Sequence, residues 1–417
     1  MSSAPGACWR SSSAAWRRIT SAPWSWTDMA KKPAQPAPAK ARPPAQPKAA
    51  PGGAAAAAAP EVEFLKKLAD AVAVSGDEGA VRRLILEAIR PHVEAVKVDA
   101  LGNVLAVKKA AARNGGRHDR VMVAAHMDEI GFMVSGHESD GTLRFEVVGG
   151  VDDRLLIGKP VVVGPNRVPG VIGAAPVHLL NHERRNSVVK ANALRIDVGA
   201  ETAEAAKKLV KVGERGTFAS ELTVVGAGGG FAGSLVGKAL DDRLGCATLV
   251  ELLRGGPYPC ELHAAFTVQE EVGLRGARVA AYAIDPAAAF ALDCTPAYDL
   301  PPSFAERENV EYNTRLGLGP AIYLADRATL SDQRLIQHLQ RTAEAAGLPY
   351  QFRQPGGGGT DAGAIHRARA GVPSVSVSVP GRYLHGPAAV ARLSDWRATA
   401  ALLQRALEGW SARVWKG

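Results

Sequence analysis

Apolar residues recur at helical spacing from Pro60 onward, which predicts a helix beginning at this proline and a second helix across residues 81–89. The alternation of apolar and polar residues across 96–107 instead predicts two strands joined by a tight turn. Helices that alternate with strands in this way favour layers of helices packed on a sheet. We therefore expect an α/β fold.

Four later runs of apolar residues have the pattern of buried strands, and each leads into ionisable side chains. The runs are residues 121–125, 262–268, 287–292 and 375–379. They are followed, respectively, by His126 and Asp128, by Glu270 and Glu271, by Asp293, and by His385. In open α/β sheets the functional crevice lies beyond the carboxyl ends of the strands. The four groups are therefore expected to meet at one site.

The chain between residues 132 and 230 has a different pattern, with short strands, frequent glycine and one evident helix near Ala203. A glycine-rich stretch at 226–230 closes it on the far side. This change of character predicts an inserted β-rich domain at 132–230. The main α/β domain then comprises residues 61–131 and 231–417.

Residues 1–60 are rich in Ala, Pro, Ser and Lys and lack a periodic apolar face, so we predict a disordered tail that can be deleted without loss of activity. Four tryptophans precede Met29, which leaves open a translation start at that methionine. The mixture of basic and aromatic residues also leaves open an arm for nucleic acid or a membrane surface. Lower turnover in a chain lacking the tail would contradict its dispensability.

Charge and cysteine content narrow the class of protein. The tail carries most of the net charge of +9, so the remainder is nearly neutral and no nucleic-acid partner is expected. Four cysteines without a C-x-x-C spacing predict a reducing, cytoplasmic location. The uncharged stretch at 222–237 is too short and too rich in glycine to span a bilayer, so we expect a soluble protein.

Histidine and carboxylate side chains at the predicted strand ends suit Zn²⁺, Co²⁺ or Mn²⁺. Asp241, just before a predicted helix, could bridge two such ions, although an aspartate there is more often a helix cap. In the pair Glu270-Glu271 one carboxylate could bind metal while its neighbour accepts a proton, and two solvated loop glutamates are the alternative. Within the insert only the acidic pair at 152–153 and His178 are arguable ligands.

Six ordered motifs closely resemble the TET-like aminopeptidases, a family that includes glutamyl and deblocking aminopeptidases and some members labelled endoglucanase M. The motifs occupy residues 126–134, 237–243, 267–277, 291–293, 358–362 and 382–385. The first reads His-Met-Asp-Glu-Ile-Gly and the third contains Gln-Glu-Glu-Val-Gly. The resemblance covers about residues 61–417 in the family's order.

The resemblance implies a centre with two divalent metal ions, Zn or Co before Mn, and assigns a role to each residue. His126 and Asp293 would complete one metal site, Glu271 and His385 the other, and Asp241 would bridge the two. Asp128 would orient His126, and Glu270 would be the general base that takes a proton from metal-bound water, leaving hydroxide as the nucleophile. A cis peptide bond between Asp241 and Asp242 is also implied.

The same resemblance implies a three-layer α/β/α metallopeptidase domain with an inserted, barrel-like dimerisation domain. The dimers would build a dodecamer that acts on short peptides. The implied activity is removal of N-terminal residues from peptides.

Three other functions are open at the level of sequence. A glycosidase would use paired carboxylates, but its sugar site is usually rich in aromatic residues, which form only 6% of this chain. A carboxypeptidase or a deacylase could use the same metal centre. A non-enzymatic binding protein on this scaffold would be expected to have lost ligands or the base, and none is lost.

Overall fold

The computed structural model describes residues 59–111, 118–225, 233–300, 314–411 and 413–416. Apart from its last two residues, the predicted tail at 1–60 lies outside the described residues, and so does Met29. The glycine-rich stretch at 226–230 lies outside them as well.

Helices and strands alternate along most of the described chain. The helices are α1 (Pro60–Asp70), α2 (Gly79–Ile89), α3 (His182–Arg185), α4 (Ala203–Leu209), α5 (Leu240–Arg254), α6 (Arg275–Ile284), α7 (Gln333–Ala346), α8 (Ala362–Ile365), α9 (Leu393–Glu408) and α10 (Arg413–Lys416). The strands up to the end of the insert are β1 (Ala95–Val98), β2 (Val104–Lys108), β3 (Arg120–His126), β4 (Gly131–His137), β5 (Leu143–Val148), β6 (Pro160–Val163), β7 (Val168–Gly173), β8 (Arg195–Asp197), β9 (Arg215–Phe218) and β10 (Thr223–Val225). The remaining strands are β11 (Ser234–Gly237), β12 (Glu261–Thr267), β13 (Ala288–Pro296), β14 (Ala321–Tyr323), β15 (Gln351–Arg353), β16 (Ser374–Arg382) and β17 (Ala389–Arg392).

A mixed sheet of 11 strands forms the centre of the main domain in the described part of the chain. Its four middle strands, in the order β12-β3-β13-β16, are mutually parallel. These are the four predicted buried strands, and their apolar sequences suit positions covered on both faces. Because parallel strands end at the same edge, the residues that follow them are brought together there.

Helices cover both faces of this sheet. Val121 and Val123 of β3 pack in a core with the buried faces of α1, α2, α5, α7 and α9. The alternate residues Met122 and Ala124 point to the other face and pack with α6 and α8. This alternation builds the expected three-layer α/β/α domain.

The inserted segment forms a closed barrel of six strands in the order β4-β5-β8-β7-β6-β9. Its separate core contains Phe132, whose ring meets Phe145 and Phe218 edge to face at 5.3 and 5.2 Å. The barrel strands end at Phe218, and β10 pairs with β11 in the main sheet, although it lies within residues 132–230. The last part of that stretch therefore contributes to the main sheet.

No helix within the described ranges is both long and apolar enough to cross a membrane.

Candidate metal centre

The predicted ionisable groups meet at the carboxyl edge of the four parallel strands. His126 ends β3, Asp293 lies near the end of β13, and Glu271 follows β12. Asp241 lies at the start of α5, where it and Asp242 depart from helical geometry and are joined by a cis peptide bond. His385 follows β16 and completes the group. The expected cis bond between Asp241 and Asp242 is thus confirmed.

Asp241 stands between the two histidines. Its Oδ1 lies 3.2 Å from His126 Nε2, and its Oδ2 lies 3.4 Å from His385 Nε2. Each histidine also has a second carboxylate nearby, since Asp293 Oδ1 is 3.9 Å from His126 Nε2 and Glu271 Oε2 is 3.5 Å from His385 Nε2. The cluster therefore consists of two similar halves that share one carboxylate.

Asp128 lies fully buried behind His126. His126 Nδ1 is 3.1 Å from the Asp128 carbonyl oxygen and 3.5 Å from its Oδ1. A carbonyl oxygen only accepts, so Nδ1 donates its proton to Asp128, and Nε2 is the nitrogen available to a metal ion. The Asp128 carboxylate also accepts hydrogen bonds from Ser75 Oγ at 2.6 Å and from the backbone N–H groups of Glu270 and Glu271 at 3.0 and 3.2 Å.

The cluster holds more acidic than basic groups, and their pKa values reflect this. Burial raises the pKa of Glu271 to about 7, and Asp241 adds to the rise. Burial, then the nearby Asp241 and Glu270, raises the pKa of Asp293 well above its usual range. Burial alone would lower the pKa of His385, but the Asp241 hydrogen bond and the Glu271 charge outweigh it and raise that pKa to about 10. Additional positive charge would stabilise such a site.

A cavity of about 710 Å³ opens onto this cluster and is also lined by Arg327, Arg353 and Tyr323. Arg353 is buried, donates to Thr295 Oγ1 at 3.1 Å and stacks on Tyr323 with its Cζ 4.5 Å from the ring centre. Within the described ranges no carboxylate forms an ion pair with Arg327 or Arg353. The cavity therefore has a cationic part beside its acidic part.

The arguable ligands of the insert do not join this cluster. Asp152 pairs with Arg154, and Asp153 pairs with Lys190 Nζ at 3.1 Å. Neither these acids nor His178 lines the cavity.

Several supporting residues have no role assigned by the sequence alone. Thr267 Oγ1 donates to Asp361 Oδ2 at 2.5 Å beneath the site, and burial raises the pKa of Asp361 to about 6. Asp361 lies in the motif at residues 358–362, and this position could have marked it as a residue of the site. Ser75 and Gly150, which contact Asp128 and His385, fall outside every quoted motif and carry no comparable signal.

Comparison with known proteins identifies the class to which this fold and site belong, which is that of the peptide hydrolases. A model of the M42 glutamyl aminopeptidase family matches residues 102–402. The chain belongs to the M42 glutamyl aminopeptidase family, which confirms the resemblance drawn from the motifs. The family is described as one of peptidases, which favours peptide hydrolysis over the binding-protein alternative. One similar solved structure, from Thermotoga maritima at 34% identity and a TM-score of 0.67, bears the name endoglucanase and covers 82% of this chain and 96% of its own.

Two named relatives and one solved structure support this family assignment. The glutamyl aminopeptidase of Lactococcus lactis is 34% identical over 340 residues, which cover 80% of this chain and 91% of the relative. The lysyl aminopeptidase of Pyrococcus furiosus is 32% identical over 355 residues, covering 83% of this chain and 96% of the relative. The structure of the Pyrococcus horikoshii TET1 peptidase superposes with a TM-score of 0.72 at 33% identity, covering 84% of this chain and all of that one.

Proposed function

We propose that this protein is an aminopeptidase that holds two divalent cations, removes N-terminal residues from peptides and uses Glu270 as its general base. The observation that carries the proposal is the position of Asp241, which presents one carboxylate oxygen to each of two histidines. A carboxylate in that position is suited to bridge two metal ions.

The donor set fits two such ions. Asp241 would be shared, with His126 and Asp293 completing one half and His385 and Glu271 the other. Nitrogen and carboxylate oxygen donors favour Zn²⁺ or Co²⁺, and Mn²⁺ also fits. The raised pKa values of Glu271 and Asp293 support the proposal, because nearby cations would favour the ionised form of both carboxylates.

When bound, the cations would polarise the scissile carbonyl and favour ionisation of the attacking water. Glu270 lines the cavity, and its neighbour Glu271 belongs to the donor set. We assign Glu270 to accept the proton from the attacking water and to return it to the leaving amine. Asp128 acts as a positioning residue, since it holds the His126 tautomer and the backbone of both glutamates.

The names of the relatives favour N-terminal cleavage over a carboxypeptidase or deacylase activity. Both alternatives remain outcomes of the substrate test given below.

The cavity favours an acidic N-terminal side chain. One relative is named for glutamyl and another for lysyl substrates. Arg327 and Arg353 line the cavity without a carboxylate partner among the described residues, so their charges would attract a substrate carboxylate and repel a lysine ammonium. The N–H groups of Arg353 already donate to Thr295 and to backbone carbonyls, which leaves Arg327 as the residue that would bind the carboxylate directly. We therefore propose a preference for glutamyl or aspartyl N-termini over lysyl ones.

A substrate panel combined with metal analysis tests this function. The purified protein should contain two divalent ions per chain, lose activity in a chelator and regain it with Zn²⁺ or Co²⁺. Aminoacyl p-nitroanilides should be cleaved, with the glutamyl substrate before the lysyl one. Cleavage only of N-acylated amino acids would instead identify a deacylase, and release only of C-terminal residues from peptides would identify a carboxypeptidase.

The barrel is proposed to mediate self-association. The Pyrococcus horikoshii TET1 peptidase can assemble into a tetrahedron or a large octahedral shell. Exposed apolar side chains on the barrel support an interface there, among them Val177 at 65% and Leu179 at 71% exposure. We propose dimers that form a dodecamer, with 132–230 as the inserted domain and residues 61–131 and 231–417 as the catalytic domain.

A further inference from the structure

The two histidines of the metal centre are held in different ways. The His126 side chain is 2% exposed and is fixed by close packing and by Asp128, whereas the His385 side chain is 40% exposed. His385 also has a φ of 57°, and Tyr383 a φ of 59°, in the left-handed region that residues other than glycine rarely adopt. The conformation of the His385 loop, residues 383–387, therefore depends on contacts from outside the loop.

The barrel supplies the hydrogen bond that orients this imidazole. The Gly150 carbonyl oxygen, in the connection after β5, lies 2.9 Å from His385 Nδ1. Because a carbonyl oxygen can only accept, Nδ1 donates its proton to Gly150, and Nε2 is the nitrogen available to a metal ion. Nε2 is the atom that faces Asp241 and Glu271.

Other barrel residues contact the same loop. Ser220, just after β9, donates a hydrogen bond from Oγ to the Pro387 carbonyl. Leu155 packs beside Gly386, with its Cδ1 3.4 Å from the point where a Cβ on that glycine would lie. A Cβ on Gly149 would lie 3.4 Å from Glu271 Cβ. Gly149 and Gly150 therefore lie beside Glu271 and His385, the two metal-binding residues of this half.

We propose that Gly150 is a positioning residue and that the inserted barrel forms one wall of the His385 and Glu271 half of the metal centre. The inference rests on the proposed two-metal function. It separates the two halves: disturbing Gly150 should lower metal affinity in the half that contains His385, and should leave the half built from His126 and Asp293 unchanged.

The substitution Gly150→Ala probes this contact directly. A Cβ at this position would lie 3.2 Å from His385 Nδ1 and 3.7 Å from its Cε1, and it would meet no other described atom within 4 Å. Gly150 has no positive φ, so alanine displaces the imidazole without straining the backbone. Gly173→Ala in β7 is a matched control, because its Cβ would approach only the Arg195 carbonyl oxygen, at 3.9 Å.

Calorimetric titration of the metal-free protein with Zn²⁺ measures the two sites separately. The wild type and Gly173→Ala should each bind two ions, and the affinities of the variant should equal those of the wild type. Gly150→Ala should bind one ion normally and the other about 10- to 100-fold more weakly, as expected when the partner of a metal-bound histidine is disturbed. Ser220→Ala, which removes only the hydrogen bond to Pro387, should weaken the same site by up to about tenfold.

The outcomes distinguish this inference from the proposed function. Normal zinc binding by both Gly150→Ala and Ser220→Ala, or equal weakening of both sites, would overturn the role of the barrel. If Gly150→Ala does not fold, Ser220→Ala decides alone. A wild-type protein that binds fewer than two zinc ions would overturn the proposed function, and this inference with it.

Discussion

Charged residues beside the metal centre also hold the surrounding structure together. The Glu129 carboxylate is buried, with Lys238 Nζ 3.0 Å from both its oxygens and Arg243 Nη2 3.4 Å from one of them. Thr217 Oγ1, from barrel strand β9, donates to the same carboxylate at 2.9 Å. Burial lowers the pKa of Lys238, and the charge of Glu129 opposes that shift. Glu129 therefore joins the sheet, α5 and the barrel in one buried network.

Removal of this carboxylate should be costly, because two cations would remain buried without it. Glu129→Ala is expected to reduce the free energy of unfolding by about 3–5 kcal/mol. Glu61→Ala removes the pair with Arg397, whose side chain is 54% exposed, and should cost only about 0–1 kcal/mol. Urea unfolding measures both variants, and equal effects would contradict the account of the network.

Arg327 allows a test of the proposed preference for acidic N-terminal residues. Arg327→Ala should raise KM for a glutamyl substrate about tenfold, the size of a hydrogen bond to a charged group, and leave KM for a leucyl substrate unchanged. Arg278→Ala is the control, since Arg278 is an exposed arginine outside the cavity. Steady-state kinetics measures KM for both substrates with each variant. An equal change for the glutamyl and the leucyl substrate in Arg327→Ala would show that Arg327 does not recognise the substrate side chain.

At the scale of elements, the four parallel strands are readable from sequence because each is an apolar run that ends in ionisable residues. The helix predicted to follow Asp241 is present as well, since the regular part of α5 begins after Asp241 and Asp242. The contact between Gly150 and His385 is not readable, because 235 residues separate them and a backbone carbonyl leaves no trace in a sequence pattern. The closure of the barrel is equally hidden, since its short strands carry little periodicity.

Helix α6 meets the end of β12 through a close backbone approach that requires glycine. A Cβ on Gly276 would lie 2.3 Å from Asn103 Oδ1 and 2.5 Å from the Val268 backbone. Gly276→Ala should therefore reduce the free energy of unfolding by about 1–3 kcal/mol through overpacking. Urea unfolding beside the Gly173→Ala control measures this, and an unchanged midpoint would contradict the close approach.

At the scale of the whole molecule, the barrel has two proposed roles, as a wall of the metal centre and as a surface for self-association. Exposed Leu179 belongs to the second role alone, since it does not line the cavity. The assembled state leaves little signal in sequence, because an interface side chain and an ordinary exposed leucine look alike. The expectation of a dodecamer therefore comes from the family and not from the composition.

Leu179→Asp should convert the proposed dodecamer into smaller species, because a charge would be placed in the proposed apolar interface. Tyr282→Asp, on the exposed side of α6, should leave the assembly intact. Light scattering coupled to size exclusion gives the masses. A wild-type monomer with full activity would contradict the proposed assembly.

The most direct test of the central claim compares Glu270→Gln with Glu271→Gln, measuring bound metal and turnover on the same samples. Glutamine keeps the shape of the side chain and removes its negative charge. Glu270→Gln should retain two metal ions and lose about 10²- to 10⁴-fold in kcat, whereas Glu271→Gln should lose metal. Near-normal turnover of Glu270→Gln with both ions bound, or an exchange of the two phenotypes, would contradict the assigned roles.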